Sequence, residues 1–105
     1  MRPVLHGDLS SAARALLAAP PEQREALCAR LFHQAEAADR FRLCEGRLHP
    51  EWGNGSLMAA ARKYPLKPEP DFDDTAYCHC MVLILRSLLA LRQGVKLPET
   101  EDHHC

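Results

Sequence analysis

The chain lacks a dominant sign of charge. Thirteen Lys and Arg against fourteen Asp and Glu leave a formal net charge of −1 and a pI near 6.6, which argues against a generally basic nucleic-acid-binding domain. It also lacks an apolar leader, since Met1-Arg2-Pro3-Val4-Leu5-His6-Gly7-Asp8 contains no hydrophobic stretch of the kind a secretory signal needs. The apolar run at 81–91 is short for a membrane span and is interrupted by Arg86. Strand-like alternation is missing and no segment repeats. The five cysteines are odd in number, which, without a secretory signal, argues against a disulfide framework. These absences point to a soluble, reduced, cytoplasmic all-α protein. At 105 residues it is a single domain whose buried fraction stays modest unless it associates.

What the sequence does contain is one unusually apolar helix, over 77–93. At 100° per residue, Tyr77, Cys80, Met81, Ile84, Leu88 and Leu91 form one stripe, and Cys78, Val82, Leu85 and Leu89 form a second seam beside it. Two seams call for two partners. One is the chain's own core, and the other is most economically a neighbouring subunit, so Cys78, Val82, Leu85 and Leu89 are the expected oligomer interface.

Upstream, Asp8 is expected to cap a first helix in which Leu9, Ala12, Ala13, Leu16 and Leu17 recur at helical spacing until Pro20-Pro21. Pro21 suits the first turn of a long second helix over 21–45, with Leu27, Leu31, Ala35, Ala38 and the alkyl stem of Arg42 on one face. Gly46 is its expected stop. Residues 47–55 read as a loop, and Ser56 as the cap of a short helix ending near Lys63 or Tyr64. Pro65, Pro68 and Pro70 enforce an extended linker. Asp71, Asp73 or Asp74 then caps the last helix, which Gly94 closes. The expected architecture pairs the second and last helices antiparallel, with the two shorter helices at their ends. Residues 1–94 form this oligomerising domain, and 95–105 a flexible acidic tail.

Candidate chemistry is sparse. Cys78-His79-Cys80 and His103-His104-Cys105 hold metal-ligand residue types, but side chains two apart on a helix diverge by about 200°, so no metal site is expected. Cys28 with His33, or Cys44 with His49, could supply a nucleophile and base, yet a five-residue separation puts such a pair about 140° apart on a helix. No catalytic residue and no cofactor is expected. Gly53-Asn54-Gly55-Ser56 resembles the start of an anion-binding loop, but without the lysine and full glycine spacing of a phosphate loop a structural turn is favoured. Trp52, the sole tryptophan, is read as plugging a small cluster between the second and third helices rather than as an exposed anchor.

Charge divides mildly along the chain, with nine Lys/Arg against seven Asp/Glu in residues 1–64 and four against seven in 65–105. On the second helix, His33, Glu36, Arg40 and Arg47 oppose the apolar stripe, with Arg30 at its edge. A solvated face is the ordinary meaning of such mixed charge. Arg30, His33, Arg40 and Arg47 are nonetheless the candidates for weak contact with DNA backbone, which a ring of subunits would multiply. The Pro20-Pro21 junction does not make a helix-turn-helix motif, because the helix after it is too long.

The run His49-Pro50-Glu51-Trp52-Gly53-Asn54-Gly55-Ser56-Leu57-Met58-Ala59-Ala60, preceded by Ala35-Glu36-Ala37-Ala38-Asp39-Arg40, resembles small terminase subunits of alphaproteobacterial gene transfer agents, which are phage-like particles. The resemblance covers roughly residues 1–93. It implies a non-enzymatic packaging component that forms a homo-oligomeric ring, contacts double-stranded DNA and recruits or stimulates the large terminase subunit, which holds the ATPase and nuclease. Many phage small terminases add an N-terminal helix-turn-helix domain, for which this chain has no room, so the DNA contact expected is weak and without sequence specificity. The tail residues Leu97, Pro98, Glu99, Glu101 and Asp102 become the candidate docking segment for the large subunit. The competing expectation is a small helical regulatory or transcription-associated protein acting as a dimer.

Overall fold

The structure, a computed structural model, describes residues 1–94. The docking segment Leu97, Pro98, Glu99, Glu101 and Asp102 lies outside the described residues. Within them the protein is all-α, with helices α1 (His6–Ala18), α2 (Arg24–Glu45), α3 (Leu57–Ala61) and α4 (Thr75–Arg92), and a single 3-10 turn at Pro21–Gln23 leading into α2.

The helix ends follow local chemistry in most places. Gly46 takes the left-handed conformation (φ 70°) and its N–H closes on the Arg42 carbonyl, ending α2 as expected. The Ser56 hydroxyl accepts the Ala59 N–H at 3.1 Å to cap α3, and Asp74, of the three candidate aspartates, accepts the Tyr77 N–H at 3.1 Å to cap α4. Arg24 joins α1 to α2 by donating from Nε to the carbonyls of Leu16 and Ala19 and from an Nη to that of Leu17. These are carbonyls at the C-terminal end of α1 and its cap, where helical donors run out; the Leu16 carbonyl also accepts the Ala19 N–H at 3.0 Å.

The start of α1 corrects the sequence expectation. Leu5 is the N-cap, and Asp8 sits three residues later, buried, with Oδ2 accepting the Leu5 N–H at 2.9 Å and Oδ1 accepting the Met58 N–H at 2.9 Å. One carboxylate thus satisfies backbone donors at the starts of both α1 and α3. Local pattern alone suggests a cap at Asp8 because the second donor lies 50 residues away in sequence.

The core is built from small and medium side chains. Ala12, Ala13 and Leu16 of α1, Leu31 and Ala35 of α2, Leu57 and Ala60 of α3, and Tyr77, Cys80 and Ile84 of α4 lie in one buried cluster. The α2–α4 contact is present, with Cys28 Sγ 3.3 Å from Ser87 Oγ. The most extensive packing, however, is between α1 and α4, and α1 touches every other helix. Its alanines explain why the short first helix is central rather than terminal, because a surface of small side chains lets neighbouring helices approach closely. The linker before α4 is fastened by the Arg14 Nε to Lys67 carbonyl bond at 2.7 Å and by Tyr64 Oη donating to Gln34 Oε1 at 3.0 Å.

Candidate functional site

The two seams of α4 have different fates. Tyr77, Cys80 and Ile84 are buried, with Met81, Leu88 and Leu91 partly covered beside them. On the other seam Val82, Leu85 and Leu89 remain 40%, 44% and 60% exposed, and Cys78 is half-buried with its Sγ donating to the Phe72 carbonyl at 3.1 Å. Phe72 is itself exposed and stacks on Tyr77 with ring centroids 5.5 Å apart. Leu85 also lines a groove of about 740 Å³ between α1, α3, the linker and α4, where Arg14, Arg62 and Glu69 supply the charge. An 18-residue α4 of mean hydropathy 1.3 is, by length and composition alone, the one helix of the described residues long and apolar enough to cross a membrane. The helix extends well beyond the 81–91 run that the sequence alone made too short.

The four candidate DNA contacts do not form one cluster. Arg30 is half-buried near the start of α2 and borders a small cavity with Leu27, Tyr64 and Pro65. Arg40 lies ten residues further along α2, a rise of roughly 15 Å, and is exposed; His33 between them is half-buried. Arg47, past the Gly46 stop, is exposed and sits over the Phe41 ring, 5.0 Å from its centroid. The structure therefore brings Arg40 and Arg47 to one end of α2.

That end also holds the Trp-Gly-Asn-Gly loop. The His49 ring meets Phe41 edge-on at 5.0 Å and stacks on Trp52 at 4.6 Å with 3° between the planes. His49 and Gly53 exchange both backbone hydrogen bonds, at 2.9 and 3.1 Å, and His49 Nδ1 accepts the N–H groups of Glu51 and Trp52, each at 3.0 Å. In its neutral form this imidazole carries its proton on Nε2, because Nδ1 is used as an acceptor. Asn54 Oδ1 takes the Ser56 N–H at 2.9 Å. With Asp8 on the Met58 N–H and Ser56 on the Ala59 N–H, early donors of α3 are already satisfied within the protein. The loop is a structural turn, and the anion at α3 is a side chain of the chain itself.

Behind the loop lies an ion-paired group that sequence reasoning missed. The Met1 ammonium is 3.3 Å from Glu36 Oε2 and 3.2 Å from Asp39 Oδ2, and Arg42 donates to Asp39 Oδ1 at 2.9 Å. Burial pushes the Asp39 carboxyl up, but the hydrogen bonds from Arg42 and the Met1 ammonium outweigh it and hold the pKa below its ordinary value. Glu36 and Asp39 therefore serve the fold and are not part of a solvated strip. Nothing local in the sequence signals this pairing, which joins the two ends of a 38-residue separation.

The buried thiols of Cys28 and Cys80 are poorly placed for nucleophilic work. Burial drives Cys28 up to about 11, against a smaller opposing effect of the Ser87 hydroxyl, and burial likewise raises Cys80. Cys28 faces α4 through Ser87 and the Leu83 carbonyl. Among the described residues no group of three or more His, Cys, Asp or Glu converges on a possible metal position.

The fold and these surfaces define a small helical domain with one sealed and one open helix flank. Residues 2–88 match a family described as "Domain of unknown function (DUF7742)", and the chain belongs to that family. No curated protein and no solved structure matches it.

Proposed function

We propose that this protein is a small terminase-like DNA-packaging adaptor: a cytoplasmic, non-enzymatic homo-oligomeric ring that contacts double-stranded DNA weakly and without sequence specificity, and recruits or stimulates a large terminase subunit. The observation that carries this reading is the open flank of α4, where Val82, Leu85 and Leu89 stand exposed on a helix whose opposite flank already completes the core. Full burial of a side chain of this size from full exposure contributes about 1.5–3 kcal/mol; with 40–60% of each still exposed, covering the three adds roughly half that apiece per subunit, repeated around a ring. Resemblance of the 49–60 run to small terminases supports the choice of assembly. The exposed Arg40 and Arg47 at one end of α2 suit a sparse phosphate contact that a ring would repeat.

Absolute mass by native mass spectrometry tests the assembly directly. A closed oligomer well above a dimer is expected; a monomer at working concentration would remove the adaptor reading, and a dimer would favour a regulatory protein. A mobility-shift series with duplex DNA at increasing salt tests the second half. Binding should weaken with salt and again with Arg40→Ala and Arg47→Ala. Salt-independent binding would contradict a phosphate contact.

A further inference from the structure

We propose that the acidic segment 97–102 of this chain docks along the outer face of α2, the side turned away from the core, and that Cys105, also outside the described residues, closes on Cys44 as a reversible disulfide clasp. At 100° per residue Ala29, His33, Ala37, Arg40 and Cys44 form one stripe of α2, opposite the stripe of Leu27, Leu31, Ala35 and Ala38 that is buried. Ala29 and Ala37 are nonetheless only 5% exposed each, and neither belongs to the buried core cluster. Buried alanines on the outer side of a helix call for a cover.

The cysteines point to what that cover is. Among the described residues Cys28, Cys78 and Cys80 are free, whereas Cys44 is disulfide-bonded, a departure from the wholly reduced chain that the sequence suggests. The fifth cysteine of the chain is Cys105. Reach permits the pairing. With Ser87 Oγ 3.3 Å from Cys28 Sγ, α4 lies against the first half of α2 there, so the path from Gly94 to Cys44 is at most about 34 Å along the helix axes. Residues 95–105 can extend to about 36–40 Å.

Charge fits the same placement. His33 and Arg40 stand on the stripe with Arg30 at its edge, and the segment carries Glu99, Glu101 and Asp102. Alternate residues of an extended segment share a face, which groups Glu99 and Glu101 with Cys105. In closing the clasp both thiols lose their hydrogens as the Sγ–Sγ bond forms, and a small disulfide of the glutathione class takes up the two electrons and two protons and leaves as two thiols. His33 and Arg40 are also candidate DNA contacts, so the docked segment competes with phosphate there; that consequence alone rests on the packaging reading.

The test uses the full-length protein, treated with oxidised glutathione at low salt and digested with trypsin without reduction. A disulfide-linked pair of the tryptic peptides 43–47 and 97–105 is expected, while denaturing, non-reducing electrophoresis shows the mass of a single chain. Glu99→Gln, Glu101→Gln and Asp102→Asn together should slow closure about fivefold, as the loss of two or three exposed ion pairs implies. Closure is measured relative to formation of the Cys105–glutathione mixed disulfide, which removes any change in thiol reactivity. Cys105 joined to Cys28, Cys78 or Cys80, a covalent dimer, or an unchanged closure rate in the neutralised variant would overturn the docking. No DNA enters this test, so its failure leaves the packaging reading standing, and a monomer by native mass spectrometry removes that reading while leaving the clasp in place.

Discussion

Gly55 lies directly against Asp39: a Cβ placed on Gly55 would be 2.6 Å from the Asp39 Cβ and 2.7 Å from its Cα. The contact brings the Trp-Gly-Asn-Gly loop onto α2 beside the Met1 ion pair, and the Arg2 N–H completes it by donating to the Gly55 carbonyl at 3.0 Å. Since the obstacle includes backbone, no side-chain rotation relieves it.

Gly55→Ala is therefore expected to destabilise the fold by about 3 kcal/mol or more, combining positive-φ strain with a steric clash. Gly46→Ala is the control, because Gly46 has φ 70° but open space around its Cβ position, and it should cost only about 1 kcal/mol. Urea unfolding of both variants measures the difference; equal losses would contradict the close approach.

Asp39 gives the protein an acid-sensitive component. Its folded pKa lies below the unfolded value, so the stability it confers is fully present above an unfolded pKa of about 3.9 and is lost as pH falls through the depressed folded value. Asp39→Asn should lower stability at neutral pH and flatten its decline below about pH 4. Melting temperatures across the acid range check this, and a parallel decline in variant and parent would refute the assignment.

Asp8→Ala strands the Leu5 and Met58 N–H donors, one of them at a buried junction, and is expected to cost about 2–4 kcal/mol. Asp8→Asn keeps one accepting oxygen and should lose less. Denaturant midpoints for the pair provide the measurement, with equal losses arguing against a two-ended acceptor.

Leu89→Glu places a charge on the open flank of α4 without touching the buried one. The mass measured in solution should fall toward the single subunit, while helicity by circular dichroism stays at the parental level. An unchanged mass would show that subunits associate through another surface.

Features fixed by neighbours in sequence were legible. Gly46, Ser56 and Asp74 end or begin helices through bonds spanning at most four residues, and the two seams of α4 follow from periodicity alone. What periodicity could not supply was the identity of the covering element: α1, and not the second long helix, packs most extensively against α4. The Asp8 bond to Met58, the Met1 pairing with Glu36 and Asp39, and the fit of Gly55 against Asp39 were invisible because each joins residues well beyond one helical turn apart in sequence. The proposed DNA set shows the same boundary: Arg40 and Arg47 share an end of α2, whereas Arg30 belongs to a different neighbourhood, and Arg47 gains its relation to Phe41 only because Gly46 reverses the chain between them.

The double use of Asp8 also bears on how the molecule breathes. A carboxylate that holds the first turns of α1 and α3 at once makes it costly for either to fray alone, since releasing one leaves a charge half-satisfied for the other. The amides of Leu5 and Met58 should then exchange with solvent deuterium through a common opening, so two segments far apart in the chain behave as one cooperative latch.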